Sequence, residues 1–241
     1  MKNIIQTSED VRKLGTIMGI WAHPDDEVFS MGGLMATAVR NGQKVVCVTA
    51  TYGEAGVQDE ARWPANALAD IRKSELADAY ILLGVGHHHW LGYPDGGCGG
   101  VDQEEAVHRL VALINKYQPH SIMTFGPDGI TGHSDHSAVS AWATRANSQA
   151  ANQATIYHVI QTTEQYEAMQ DVDKELNVYF NIDKPRTCES GQCDIQYELD
   201  DNVYDLKLAA LRAMPSQTEA MMSKFHSDLR PCFGHETFVR L

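Results

Sequence analysis

The sequence lacks any apolar run near the ~18 residues that a membrane helix needs, and it is short of cations. Its 241 residues carry 19 Lys and Arg against 32 Asp and Glu, a formal charge of −13. A polyanion has no sequence-wide attraction for phosphate backbones or anionic lipid, so neither nucleic acid nor membrane insertion is expected. Cysteine is scarce and odd in number: Cys47, Cys98, Cys188, Cys193 and Cys232. Five cysteines make no disulfide scaffold and no C-x-x-C pair marks a structural zinc. Cys188 and Cys193 could bridge, but the intervening Glu-Ser-Gly-Gln reads as a hairpin turn with a reduced pair at its shoulders. The N-terminal stretch has no apolar h-region of the kind a secretory leader carries, so the cytoplasm is the expected compartment. No G-x-G-x-x-G follows the first strand, which leaves a dinucleotide cofactor unsupported. Repeats and low-complexity tracts are missing, and no linker divides the chain.

What is present is a regular alternation. Apolar residues make up 43% of the sequence, and a chain this long buries roughly 70–75% of the surface its unfolded form exposes. Short apolar or β-branched runs at Thr16–Ala22, Lys44–Ala50, His87–Leu91, Ser121–Phe125 and Thr155–Ile160 read as strands. Between them lie helical patterns at about Glu27–Arg40, Ala65–Leu83, Glu104–Tyr117 and His136–Ala150, with Asn41-Gly42 and Gly84 as stops. This β-α-β rhythm predicts an α/β fold with a Rossmann-like, mostly parallel sheet flanked by helices. The expectation is one domain over residues 1–241, with a core at about 14–162. A C-terminal α+β extension, about 163–241, is expected to pack on the sheet. In it, Leu176–Ile182 and Ile195–Leu199 read as antiparallel strands around the cysteine turn, followed by helices at Val203–Ala213 and Ser216–Phe225.

In an open α/β sheet, ligands bind outside the carboxyl ends of the strands. Two of those ends here carry metal-ligand chemistry. Strand 1 runs into Ala22-His-Pro-Asp-Asp-Glu27, and strand 4 is followed by Gly132-His-Ser-Asp-His136. Two imidazoles and a carboxylate are a donor set that a catalytic zinc takes while keeping one position for water, whose pKa falls towards ~7. Asp25, beside a candidate ligand, is free to accept a proton from that water. One histidine of the His133/His136 pair is left over to stabilise an oxyanion or protonate a leaving amine. Carboxylates also suit a helix N-terminus, and Ser134 or Asp135 suits a cap. Both segments together at two ends of one sheet favour the metal. Amide hydrolysis fits that division of labour.

The run Ala22–Glu27, with Gly129-Ile-Thr-Gly-His-Ser-Asp-His136, resembles the two signatures of the LmbE-like, or PIG-L, de-N-acetylase family. The resemblance implies a Rossmann-like fold, one divalent ion (usually zinc), and removal of acetyl from N-acetylglucosamine units. Carried over by residue, it implies that His23, Asp26 and His136 hold Zn2+ and that Asp25 is the general base. His133 would stabilise the oxyanion or protonate the amine, and Asp135 would orient His133. Arg72, in Arg72-Lys-Ser-Glu75, and Asp95 would contact sugar hydroxyls, although an i,i+3 surface pair also explains Arg72 and Glu75. Thr131 stands where some relatives carry a tyrosine, and Met214 where many carry a histidine.

Other features read as less informative. His87-His88-His89 lies on a strand, where at most two of the three side chains share a face. Gly96-Gly-Cys-Gly-Gly100 resembles a phosphate cradle but lacks the Lys-Ser/Thr of a P-loop, and reads as a flexible rim. Trp63, Trp90 and Tyr93 fit either the core or sugar stacking. The expected partner is a small, neutral N-acetylated sugar, with homo-oligomerisation left open. The rival readings are an amidase for a non-acetyl amide such as a thiol conjugate, and a non-catalytic metal- or sugar-binding protein.

Overall fold

The computed structural model describes residues 5–225 and 229–241; the first four residues of the stretch read as leader-free lie outside them. The alternating runs form β1 (Ile17–Trp21), α1 (Asp26–Arg40), β2 (Val45–Thr51), α2 (Ala65–Leu83) and β3 (His87–Tyr93). They continue as α3 (Gln103–Tyr117), β4 (Ser121–Phe125), α4 (Ser134–Gln149) and β5 (Thr155–Val159). These five strands pair in the order β3-β2-β1-β4-β5, all parallel. Every residue of β1, β2 and β4 is buried, which is why they read as unbroken apolar runs rather than alternating ones. The order reverses between β1 and β4, so the crevice for a ligand opens over the carboxyl ends of those two strands. His23 and His136 come from the loops that leave them.

The C-terminal part holds β6 (Gln161–Thr162), α5 (Thr163–Leu176), β7 (Thr187–Cys188) and β8 (Ile195–Glu198). After these come α6 (Asp201–Arg212), α7 (Pro215–Phe225), α8 (Arg230–Phe233) and β9 (His235–Arg240). This extension does more than pack on the sheet. Strand β9 pairs antiparallel with β5, and β8 with β9, giving a seven-stranded mixed sheet. Helix α6 lies against α1 and α2.

Two expectations in this region are corrected. Residues 176–182 form no strand: α5 runs to Leu176 and is stopped at Asn177 by a left-handed turn, φ 52°. The antiparallel hairpin is therefore absent. Thr187–Cys188 pairs parallel with Gln161–Thr162 instead, and β8 takes β9 as partner because Ile195 and Tyr197 alternate into the core. Cys188 and Cys193 are also not reduced but joined in a disulfide. The turn at Glu189–Gln192 brings their Cα atoms to 6.6 Å, within bridging range.

Strand β9 also carries a buried charge into the core. Glu236 and Lys207 are both fully buried and paired at 2.8 Å. Helix α1 departs from helical geometry at Met31, and the amides of Gly33 and Leu34 beyond that kink donate to the two Glu236 oxygens at 2.7 Å each. The carboxylate thus takes the place of helix carbonyls that the kink removes, while the lysine balances its charge.

Candidate metal centre and active site

The loop after β1 turns sharply into α1. Asp25 precedes the helix with φ 145° and ψ −29°, a conformation that a residue with a side chain adopts only under constraint. The constraint is visible. The Asp25 amide donates to Glu27 Oε2 at 3.1 Å, and its carbonyl accepts from Val28 and Phe29. Arg72, 4% exposed, donates to the Pro24 carbonyl at 2.9 Å, the Gly53 carbonyl at 2.8 Å and Asp25 Oδ2 at 3.1 Å. Gly53 must be glycine for this: a Cβ there would stand 2.3 Å from the guanidinium. Glu27, with no exposure at all, accepts from Thr49 and from the Tyr80 hydroxyl. Burial raises its pKa to about 7.

On the other wall, His133 caps α4 and His136 lies in its first turn. The loop from Gly126 to Gly132 closes over His136, whose Nδ1 donates to the Gly129 carbonyl at 2.8 Å, with Thr131 Oγ1 at 3.3 Å. A Cβ at Gly129 would meet the His136 Cβ at 2.9 Å. The bond to the carbonyl puts the proton on Nδ1 and leaves the Nε2 lone pair facing inward. His23 is arranged the opposite way. Its Nε2 edge faces Asp95 Oδ1 at 3.0 Å and Asp135 Oδ2 at 3.4 Å, as charge contacts rather than aligned hydrogen bonds. Two carboxylates on that edge place the proton on Nε2, leaving the Nδ1 lone pair inward.

The inward atoms converge. His23 Nδ1 lies 3.1 Å from His136 Nε2, Asp26 Oδ2 lies 3.5 Å from the first, and Asp26 Oδ1 lies 3.4 Å from the second. Four ligands at 2.0–2.2 Å from a zinc ion stand roughly 3.3–3.6 Å apart. The two imidazole nitrogens and the Asp26 carboxylate, approached through a different oxygen on each side, come close to that spacing, and they are a donor set that zinc takes. His23, Asp26 and His136 would hold the ion. His133 also comes within 4.8 Å of the His23 and His136 donors, so it borders the same space.

Electrostatics agree with a cation-seeking centre. Burial opposes a charged His23, yet Asp135, Asp26 and Asp95 together hold its pKa well above the usual imidazole value. Burial likewise opposes Asp26 ionisation, but His136 and His23 keep that carboxyl well below the ordinary range. Asp25 differs: burial pushes its carboxyl up, against the pull of Arg72, into the range where a carboxylate serves as a base near neutral pH. Burial and the neighbouring His23 lower the pKa of His133.

Several anticipated roles are relocated. Arg72 is buried, with its guanidinium on Pro24, Gly53 and Asp25, and Glu75 is no surface partner of it, since its carboxylate accepts from the Ser216 amide and hydroxyl. Asp95, its side chain 6% exposed, faces His23 and the Ala55 amide. The Asp135 carboxylate does not orient His133. It accepts from the Gly96 and Cys98 amides, while its own amide donates to His133 Nδ1 at 3.2 Å. The glycine-rich loop is thus a cradle after all, for an aspartate of the same chain. The three consecutive histidines serve packing: His88 meets Thr49 and His89 meets the Tyr117 hydroxyl. Trp90 packs on Tyr52 and His88, and Tyr93 bonds Glu105. Met214 is buried, 1% exposed. Glu27 was missed by sequence reasoning, although it stands in the same acidic run as Asp25 and Asp26.

Comparisons with known proteins give the family and the fold. The PIG-L family model, described as GlcNAc-PI de-N-acetylase, matches residues 18–147. The chain belongs to the PIG-L family. A 1D-myo-inositol 2-acetamido-2-deoxy-alpha-D-glucopyranoside deacetylase of Mycobacterium sp. (strain JLS) is 30% identical over 83% of this chain and 73% of its own length. A probable N-acetyl-alpha-D-glucosaminyl L-malate deacetylase 2 of Bacillus cereus is 28% identical over 89% of each. Among solved structures, the N,N'-diacetylchitobiose deacetylase of Pyrococcus horikoshii superposes with a TM-score of 0.68 at 22% identity. It covers 95% of this chain and 85% of its own, and shares the fold. In this PIG-L protein both signature segments meet at the sheet crevice. Among the described residues, no helix is long and apolar enough to cross a membrane.

Proposed function

We propose that this protein is a metal-dependent hydrolase that removes the acetyl group from the N-acetyl amine of an amino sugar, using zinc. The observation that carries this reading is the convergence of His23 Nδ1, His136 Nε2 and the Asp26 carboxylate, with contacts of 3.1–3.5 Å, and Asp25 beside it. A divalent ion bound there supplies Lewis-acid polarisation and lowers the pKa of water. Everything else is assigned to the chain. Asp25, braced by Arg72, takes a proton from the attacking water. His133, its Nδ1 occupied by the Asp135 amide, presents an Nε2–H that stabilises the developing oxyanion, and the proton Asp25 took from the water passes to the amine as the C–N bond breaks. Acetate and a free amine result. Asp95 and Asp135 hold His23 in its ligating tautomer, the outer-carboxylate arrangement that raises the basicity of a ligand imidazole.

The named activities of the relatives support an N-acetylglucosamine-type substrate. The test is release of acetate and primary amine from N-acetylglucosaminides by zinc-loaded protein, against a chelated control. Acetate release that survives full chelation, or binding of N-acetyl sugars by zinc-loaded protein without any turnover, rejects the reading.

A further inference from the structure

A cavity of about 390 Å³ adjoins the metal centre, a size in the range of small-molecule sites. At one end its wall is Asp25, Asp26 and His136, the proposed chemical end. Away from them it is built largely by the C-terminal part of the chain and changes character. Phe29, Met169, Val178, Phe180, Met221 and Phe233 line it. Phe180 is 57% exposed, an unusual state for a large apolar side chain, and its ring stands edge-on to His133 at 6.3 Å between centroids.

Several polar groups on this wall are already engaged. Glu236 accepts from Gly33, Leu34 and Lys207. Gln165 donates to the His235 carbonyl, and its oxygen accepts from the Thr162 amide and the Thr237 hydroxyl. The Thr237 hydroxyl also bonds the Ile160 carbonyl, and the Tyr179 hydroxyl donates to Gln161. A hydroxyl-rich group set against the Phe, Met and Val side chains and these committed groups would lose its water without full replacement, which is costly. An alkyl or aryl group would gain from the same wall.

We infer that the substrate carries an apolar alkyl or aryl substituent, received by this cavity while the reacting amide sits at the His23–Asp26–His136 centre. The position of the amide rests on the deacetylase reading; the affinity for an apolar group does not. The relatives named above act on inositol- and malate-bearing sugars, so an apolar substituent would separate this chain from them in specificity. The apolar group has two chemical sources: the aglycone on the glycosidic oxygen, or an acyl group longer than acetyl on nitrogen.

The test is calorimetric binding to the full-length, zinc-loaded protein. One series is the methyl, butyl and hexyl glycosides of N-acetylglucosamine. A second is methyl glucosaminide bearing acetyl, butanoyl or hexanoyl on nitrogen. The myo-inositol glycoside of N-acetylglucosamine is the polar comparison. Each buried methylene is worth about four-fold in affinity, so a gain on the order of 30-fold or more from the shortest to the longest member is expected in one series. The series that shows it identifies the source. The hexyl-to-methyl affinity ratio of that series falls in Phe180→Ser, an exposed site that keeps the fold intact, and in Met221→Gln. Flat affinity in both series overturns the inference, as does an inositol glycoside that binds as tightly as the longest alkyl member. Turnover reports separately: absent acetate release with a rising affinity series removes the deacetylase reading and leaves the apolar site standing.

Discussion

Nδ1 of His23 stands 3.1 Å from Nε2 of His136, with Asp26 Oδ2 3.5 Å from the first and Asp26 Oδ1 3.4 Å from the second. Two imidazole lone pairs directed at one point repel unless a proton or a metal ion lies between them. Zinc binding to the native state alone adds about 4 kcal/mol at a thousand-fold excess over Kd, which for a chain of this size raises Tm by roughly 8–16 °C. Chelation is therefore expected to lower Tm by that order in wild-type protein. In His23→Ala and His136→Ala, thermal scans with and without zinc should coincide. A zinc-dependent shift that persists in both variants would place the ion elsewhere.

The charge on His23 gives metal affinity a pH dependence of defined sign. Asp135, Asp26 and Asp95 outweigh burial and keep its pKa above the ordinary 6.5, so at neutral pH the metal-free ring carries a proton that an entering ion displaces. Affinity rises with pH from 6.5 upward, until the folded-state pKa of His23 is passed. In the metal-free protein the sign is reversed: stabilisation from the raised pKa is full below 6.5 and is lost as pH rises through the folded value. Titration calorimetry in buffers of differing ionisation enthalpy should record proton release on zinc binding at pH 7. Absence of released protons would contradict the charged His23.

Asp25 and Arg72 are expected to fail differently. Asp25→Asn removes the proposed base, and kcat falls on the order of 10²–10⁴-fold, while zinc content stays near that of wild type. Arg72→Met leaves Asp25 and the Pro24 and Gly53 carbonyls without their buried donor. Breaking a buried pair in this way costs about 3–5 kcal/mol, so Arg72→Met loses stability as well as activity. Denaturant melts beside steady-state rates separate the two. Equal stability in Arg72→Met and wild type would contradict the bracing role of Arg72.

The parallel half of the fold, and the two segments that meet at its crevice, were legible because their signals are local. Ala22–Glu27 and Gly129–His136 announce strand ends, and α2 and β4 fall at their expected limits. Roles were less legible than identities, because a role depends on what faces a side chain from another element. Nothing near Arg72 in sequence shows that Gly53 and Pro24 will enclose it, and nothing near Asp135 shows that Gly96 will take its carboxylate. Helix α5 had a local signal that went unread, the capping box of Thr162 and Gln165. The disulfide depends on a turn geometry that composition does not encode. Such a bridge is the state that oxidising compartments favour, so the cysteine count carries no argument for the cytoplasm. Strand β9 reads weakly because its buried residues include Glu236, and only the kink in α1 explains a carboxylate there.

That buried pair leads to a prediction away from the chemistry. Lys207→Met leaves Glu236 ionised in the core with only the Gly33 and Leu34 amides, and unfolding free energy is expected to fall by about 3–5 kcal/mol. Glu236→Gln keeps one acceptor for the α1 kink but leaves Lys207 without its counter-charge, so it destabilises by a similar order. The double variant Lys207→Met/Glu236→Gln removes both charges and retains the amide oxygen, and it should recover much of the loss. Non-additivity of this kind, read from a double-mutant cycle in denaturant melts, marks groups acting as a unit. Additive losses would mean that Glu236 stabilises α1 independently of Lys207. Because α1 begins at Asp26, zinc affinity in the single variants reports whether the kink also fixes the ligand: a weakened affinity in Lys207→Met that the double variant restores would tie the buried pair to the metal centre.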